Sequence, residues 1–432
     1  MSMMETHSKR RVELQLNLTT PSHLTILIMA FRFRNQPWKS LYILYFGLTT
    51  LVLRLPVWVL LSLYKSTRTW SVRRTIYFKV IREYIGRFFV TGFPSPPVSH
   101  CGYTCSQIEA CPQLVVGEIK EIARVNGVQS ETTTGFWYTQ NNFEGPVDRM
   151  ARDDETIVYH IHGLLVLTIG GAFSDMTSSL QEEHLCPADS MTPVLCEGLL
   201  RNCSSLSRMF CVEYRISSTS PFPARNPFPA ALLDALAGYR HLVVVVGFKP
   251  QNIIISGDSA GGQIALSLAR YLSKYALTAL APPGGLLLIS PSADWGRTHD
   301  NGSPTESITR NADTDFGAPF YQGYPTRAII GRMQSSEAAA NPWISAASLK
   351  LPEPKGLFSG LPRTCIISGE AEIQLDSIHT LRDRLIHDTG NSNVTYIESF
   401  GSTHCFVCFK AFEPERTAAL TSVGEWIDGM KD

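Results

Sequence analysis

At 432 residues with 44% hydrophobic side chains, the chain is long enough for one large α/β unit with additions. Its 38 basic and 38 acidic side chains cancel, so no overall field draws it to phosphate backbones or acidic substrates, and nucleic-acid binding is set aside. Ten cysteines in so long a chain do not make a small disulfide scaffold, and Cys101, Cys105 and Cys111 lack the paired spacing of a zinc module, so no structural metal is expected.

Residues 41–63, LYILYFGLTTLVLRLPVWVLLSL, approach the ~20 apolar residues needed to cross a bilayer. Arg54 and Pro56 stand in the middle. An arginine at mid-membrane costs about 2.5 kcal/mol or more and proline interrupts a helix, so a tilted or interfacial helix competes with a span. Membrane association is the expectation, single-pass or interfacial, with the endoplasmic reticulum as one location; a buried cap helix is the alternative. Basic residues flank both ends, Arg32, Arg34 and Lys39 before and Lys65, Arg68, Arg73 and Arg74 after, so the positive-inside rule does not orient it. The preceding run at 24–31 is too short to span, and the mostly polar first twenty residues show no clear cleavable signal peptide. Sequons at Asn17, Asn202, Asn301 and Asn393 permit glycosylation in a secretory compartment.

From residue 156 onward, apolar β-rich runs alternate with helical patterns, the signature of a mostly parallel sheet with helices on both faces. Strands are expected at 156–162, 209–216, 252–256, 285–290, 364–369 and 394–399, and helices at 230–246, 261–275, 374–388 and about 413–430. Residues 296–345 break the rhythm with Gly, Pro, Asn and Asp among aromatics; this stretch and residues 65–115 are assigned to a cap.

The run NIIISGDSAGGQIALSLAR places Gly257, Asp258, Ser259, Ala260 and Gly261 directly after a β-branched strand and before a helix. That is the context a nucleophile turn requires: flanking glycines let the backbone pass closely, and the helix start aims N–H groups at the reacting oxygen. A serine hydroxyl needs a histidine base, and the histidine needs a carboxylate. In such folds the order is nucleophile, acid, histidine, which selects His404 after the last strand. The loop after TCIISG offers Glu370, Glu372 and Asp376. A carboxylate leaving a strand end can reach the base better than one a full turn into a helix, so Glu372 is chosen, Asp376 second and Glu370 third.

Together GDSAGG (257–262), YHIHG (159–163), GGAF (170–173), SGEAEIQLD (368–376) and His404 resemble the hormone-sensitive-lipase-like branch of α/β-hydrolases, over about residues 110–430. Within it the chain is similar to fungal membrane-anchored esterases of the steryl-acetyl-hydrolase kind and to natural-product pathway esterases. The resemblance implies an α/β-hydrolase fold and short acyl esters, acetates of a sterol, terpenoid or other apolar metabolite, as small-molecule substrates. It implies no cofactor, and it independently favours Glu372. It also implies an anchored extension at 1–64 before a hydrolase domain at 65–432. Trp295, Phe316 and Phe320 are candidates for the pocket wall.

One departure stands out. The family's continuous His-Gly-Gly motif is split here, because His162-Gly163 is separated from Gly171-Ala172-Phe173 by residues 164–170, LLVLTIG. On one reading Gly170 or Gly171 still joins Ala260 in donating N–H groups to an oxyanion. On the other the insertion disrupts the site and leaves a catalytically impaired binding protein, unless the seven residues are an error in the gene's reading, such as a retained intron. An acyltransferase using the same serine is a third reading.

Overall fold

The computed structural model describes residues 33, 35–64, 70–91, 104–140, 143–163, 184–185, 191–220, 222–278, 280–321 and 323–430. Eight strands form its central sheet: β1 Cys105–Ile108, β2 Thr133–Thr139, β3 Thr156–Ile161, β4 Leu206–Val212, β5 Ile253–Asp258, β6 Gly285–Ile289, β7 Arg363–Gly369 and β8 Val394–Ser399. Their spatial order is β1-β2-β4-β3-β5-β6-β7-β8, with antiparallel pairing of β1 to β2 and of β2 to β4, and parallel pairing from β4 onward. β5 lies in the middle, with Ile157 opposite Ile253 on one side and Gly285 opposite Ile254 on the other. A strand covered on both faces reads as a continuous apolar run, which is why NIIIS does not alternate.

The helices are α1 Trp38–Thr49, α2 Leu55–Tyr64, α3 Val72–Thr91, α4 Gly117–Asn126, α5 Thr192–Asn202, α6 Ala230–Arg240, α7 Ala260–Tyr275, α8 Leu375–Thr389 and α9 Glu415–Asp428, besides shorter turns. Leu232 of α6, Leu268 of α7 and Leu381 of α8 are buried in one core, while Phe78 of α3, Leu199 of α5 and Trp426 of α9 are buried in the other. The two cores take opposite, alternating side chains of the same strands, such as Ile255 and Ile254 of β5, so the sheet is sandwiched between helical layers.

The expected strands and helices of the catalytic region are present, with boundaries moved. The 209–216 run begins at Leu206 and ends at Val212, and the 230–246 run is helical to Arg240 and then passes into a π-helical turn at His241–Val245. The 65–115 stretch is not all cap: Cys105–Ile108 is the edge strand, paired with β2, and Trp137 of β2 donates to Ser106 Oγ at 2.9 Å. Strand β2 itself went unassigned from the sequence; its TTGFWYT is buried almost throughout. The 296–345 stretch is irregular as expected, with short helices Ser307–Arg310, Tyr324–Ile330 and Glu337–Ala340.

Pro56 does not break the N-terminal helix. A π-helical turn at Thr50–Arg54 lies between α1 and α2, with the Leu55 N–H bonded to Thr50 O. The wider turn accommodates the donor that proline lacks. The combined helix is long and apolar enough over Trp38–Leu63 to cross a membrane, and none of its apolar window is buried in the protein.

Candidate active site

Three strand ends converge on one point. Ser259 follows β5, Glu372 lies in the loop after β7, and His404 follows β8. These are carboxyl ends of parallel strands in one half of the sheet, with β6 between β5 and β7, at the edge where open α/β sheets place their chemistry.

Ser259 is held at φ 53°, ψ −118°, a conformation L residues adopt at a cost of about 1–3 kcal/mol. The surroundings enforce it. Ser259 N–H donates to Ile289 O at 2.9 Å, and its carbonyl accepts Ser292 N–H at 2.9 Å. A Cβ on Gly257 would stand 2.2 Å from Gly261 O, and one on Gly261 would stand 2.0 Å from Ile161 O. Close backbone passage, between strand and helix at the first and between helix and β3 at the second, is therefore what both glycines permit. Ala260 is the first residue of α7, so its N–H has no partner within the helix, and the positive end of the helix dipole lies at the serine.

His404 Nε2 is 2.8 Å from Ser259 Oγ, and its Nδ1 is 3.0 Å from Glu372 Oε2. Glu372 is fully buried, its other oxygen accepting Gly369 N–H at 2.8 Å and Ser290 Oγ at 3.3 Å. The alternatives point elsewhere: Asp376 accepts Ser307 N–H at 2.7 Å, and Glu370 accepts Gly401 N–H at 3.3 Å. Burial works against charge on His404, but the hydrogen bond and charge of Glu372, with Asp315 and Asp258 adding, hold its pKa above the ordinary imidazole value. Burial pushes the Glu372 carboxyl up. In this arrangement the imidazole can accept the serine proton while its Nδ1–H stays on the carboxylate.

Asp258 serves the site from behind. Its Oδ1 accepts Gly163 N–H at 2.8 Å and lies 3.2 Å from His160 Nε2. Burial opposes its charge, yet His160 and the Gly163 N–H keep its pKa below the usual carboxylate value. Gly163 is packed so tightly that a Cβ would meet Asp258 Oδ2 at 2.5 Å and Ser259 Cβ at 3.1 Å. His162 stacks on Tyr214, centroids 4.6 Å apart, and its carbonyl accepts the Tyr214 hydroxyl at 2.8 Å. The root of the His-Gly motif is thus brought against Ser259. Gly170, Gly171 and the insertion 164–170 lie outside the described residues.

The sequence did not reveal Asp315 or Asn311. Asp315, fully buried, accepts Ile373 N–H at 2.7 Å and Gly317 N–H at 2.8 Å, while Asn311 Nδ2 donates to Glu372 O at 2.8 Å and Glu370 O at 3.2 Å. They tie the Glu372 loop to the irregular stretch around residues 311–317. Burial raises the Asp315 carboxyl. A lone Asp and Asn in an irregular stretch carry no local signal of this role.

Beside Ser259 and His404 opens a cleft, and Trp295, Phe316 and Phe320 all line it, with Tyr321 besides. A second, smaller recess, bordered by Gly163, Met191 and Cys408, meets the same serine, histidine and Phe316. Phe316 stands edge-on to His404 with centroids 6.0 Å apart. Among the described residues no group of three or more His, Cys, Asp or Glu could hold a metal ion.

A family profile for the alpha/beta hydrolase fold matches residues 188–408, just over half of the chain. The chain is 29% identical to esterase LipU of Mycobacterium tuberculosis over 224 residues, 51% of this chain and 67% of that one. It is 27% identical to an acetyl-hydrolase of Streptomyces hygroscopicus over 208 residues, 48% of this chain and 61% of that one. The match therefore spans between 61% and 67% of the length of these curated relatives. Among solved structures, a hormone-sensitive lipase from a metagenome library superposes with a TM-score of 0.51 at 19% identity, covering 88% of this chain and 97% of that one. The chain belongs to the α/β-hydrolase-fold family, and its curated relatives there are esterases and an acetyl-hydrolase.

Proposed function

We propose that the chain is a serine carboxylic ester hydrolase, and the observation that carries this is the continuous chain Glu372–His404–Ser259 at 3.0 and 2.8 Å. Ser259 Oγ attacks the ester carbonyl carbon as His404 Nε2 takes its proton; the tetrahedral oxyanion is met by Ala260 N–H and by Gly170 or Gly171. Collapse expels the alcohol, protonated by His404, and leaves Ser259 acylated. Water, deprotonated by the same imidazole, then releases the acid and restores the serine. Glu372 holds the imidazole's orientation and stabilises its charged form. No step calls for a cofactor.

The substrate is a small apolar ester with a short acyl group, an acetate of a sterol, terpenoid or similar metabolite. The aromatic cleft and the similarity to an acetyl-hydrolase support that reading. Residues 1–64 serve as a membrane-associating extension to the hydrolase domain, supported by the apolar helix Trp38–Leu63, with the endoplasmic reticulum as the proposed location. The competing reading, an α/β-hydrolase that binds but turns over poorly, is favoured by the insertion at 164–170 in the oxyanion motif.

The deciding experiment incubates purified full-length protein with p-nitrophenyl esters from acetate to decanoate and, separately, with a fluorophosphonate probe. Turnover highest on the shortest esters, with covalent labelling at Ser259, is the expected result. Labelling without turnover would favour the impaired reading, and neither signal would overturn the nucleophile assignment.

A further inference from the structure

The apolar helix is not free of the hydrolase domain. Arg54, in the π-helical turn between α1 and α2, pairs with Glu83 of α3 at 2.8 Å; Glu83 also holds Arg87 at 2.6 Å, and Arg87 reaches the Tyr42 hydroxyl of α1 at 3.1 Å. Both guanidinium groups lie over the Phe46 ring, 5.2 and 4.8 Å from its centroid. α3 in turn is built into the globular domain. Phe78, Ile81 and Ile85 are 0–2% exposed in the core, and Arg74 bonds Ala411 O at 2.9 Å and Glu415 at 2.9 Å. Glu83 is consequently a fixed point on the surface of the hydrolase domain, and Arg54 is fixed with it.

This anchorage limits how the helix can meet a bilayer. Arg54 comes sixteen residues after Trp38 and ten before Tyr64. At 1.5 Å per residue the two arms are ~24 and ~15 Å long, and neither crosses a hydrocarbon core ~30 Å thick. Sinking the Arg54–Glu83 pair to mid-membrane would carry with it the α3 segment that also bears Lys79 and Arg82, and the domain face beneath. Yet the helix is made for lipid. Twelve large apolar side chains between Trp38 and Leu63 are each 47–65% exposed, and they include the consecutive runs Leu51–Leu53 and Leu60–Leu61. A protein partner would be met by one stripe; apolar exposure at consecutive positions suits a helix immersed among acyl chains.

We propose that this helix is a single-leaflet anchor: it lies along one membrane surface with its apolar side chains among the acyl chains and Arg54 turned back to Glu83 and Arg87, and it does not cross. The proposal rests on the membrane association put forward above and specifies its geometry. It has a consequence for the substrate. Phe78 of α3 stacks on Phe316 of the cleft, centroids 6.0 Å apart, so one helix separates the lipid surface from the pocket, and an ester dissolved in the same leaflet has a short path to Ser259.

The test translates the full chain, with an N-terminal epitope tag and a C-terminal one, in the presence of microsomes. Carbonate washing first reports association: a chain left in the supernatant would overturn the membrane reading and this geometry with it. For membrane-bound chain, protease is added outside sealed vesicles. The expected result is both tags on one side, both digested or both protected, whereas tags on opposite sides would show a span and overturn the single-leaflet geometry alone. The double variant Arg54→Leu/Glu83→Leu removes the clamp and the charge together, and esterase activity on a soluble acetate reports that it is folded. Its tags are expected on opposite sides; tags remaining on one side in the folded variant would overturn the clamp as the feature that forbids crossing.

Discussion

The two halves of the Ser259–His404–Glu372 constellation are held in place by different means. The nucleophile turn is shaped largely by its own neighbours: Gly257 and Gly261 let the backbone pass, and contact with Ile161 O and Ile289 O completes it. The acid loop takes its shape from residues some sixty positions earlier, where Ser307, Asn311 and Asp315 bond to the segment 370–376. A motif is readable when the residues that permit its geometry fall within a dozen positions, as Gly257 and Gly261 do around Ser259, even though the contacts that complete it come from Ile161 O and Ile289 O. It is not when the enforcing groups come from a distant irregular stretch, although the chemistry depends on both equally.

The largest expected effect is at the nucleophile itself. Ser259→Ala should lower ester turnover by roughly 10⁴-fold or more with an unchanged circular dichroism spectrum, because the covalent step is lost while alanine suits the same turn. Undiminished turnover in the folded variant would rule out this serine.

Breaking the local half is expected to cost about 10²-fold. In Gly261→Ala the new Cβ would stand 2.0 Å from Ile161 O, so the turn must shift by about an ångström, and displacements of that size carry such a penalty. The melting temperature should fall with kcat/KM, and wild-type values for both would show that the close passage is dispensable.

The oxyanion motif between the halves offers a gain. Deleting Leu164 through Gly170 restores a continuous HGGAF next to Gly163, whose N–H is already held by Asp258. One well-placed oxyanion donor contributes ~10²–10³ in turnover, so at least a tenfold rise in kcat/KM on a short ester is expected. Equal activity, with a transcript that encodes all seven residues, would show that the insertion is accommodated.

The smallest effect belongs to the remote half. His404 faces Glu372, Asp315 and Asp258, and all three raise its pKa, so the acid limb of kcat/KM should have its midpoint above the ordinary imidazole value of 6.5. Asp315→Asn removes one of these charges and leaves a single acceptor for two N–H groups. The midpoint should move to lower pH, and the plateau should fall about fivefold, the ~1 kcal/mol of one net hydrogen bond. A lower plateau with an unmoved midpoint would assign Asp315 a purely structural part.

By itself the sequence located the sheet's central strands and the turn at Ser259, and singled out His404 and, by its distance from a strand end, Glu372 over Glu370 and Asp376; the structure brings these three side chains into one hydrogen-bonded chain, and their roles are those proposed above. The sequence's choices follow from short-range physics: β-branched runs, glycines where backbones touch, and the reach of a side chain leaving a strand. Tertiary structure alone decided the rest. It recruited Thr133–Thr139 to the sheet by antiparallel pairing with β4, and Cys105–Ile108 to its edge by antiparallel pairing with β2, satisfying segments too short or too mixed to announce themselves. It placed Asp315 and Asn311 at the acid loop and Asp258 beneath Gly163. It also paired Arg54, which on composition alone spoils a membrane segment, with a glutamate twenty-nine residues away on a helix packed into the domain. Each of these is a contact between residues that no local pattern links, and a buried or clamped charge is accounted for only when its partner has been folded against it.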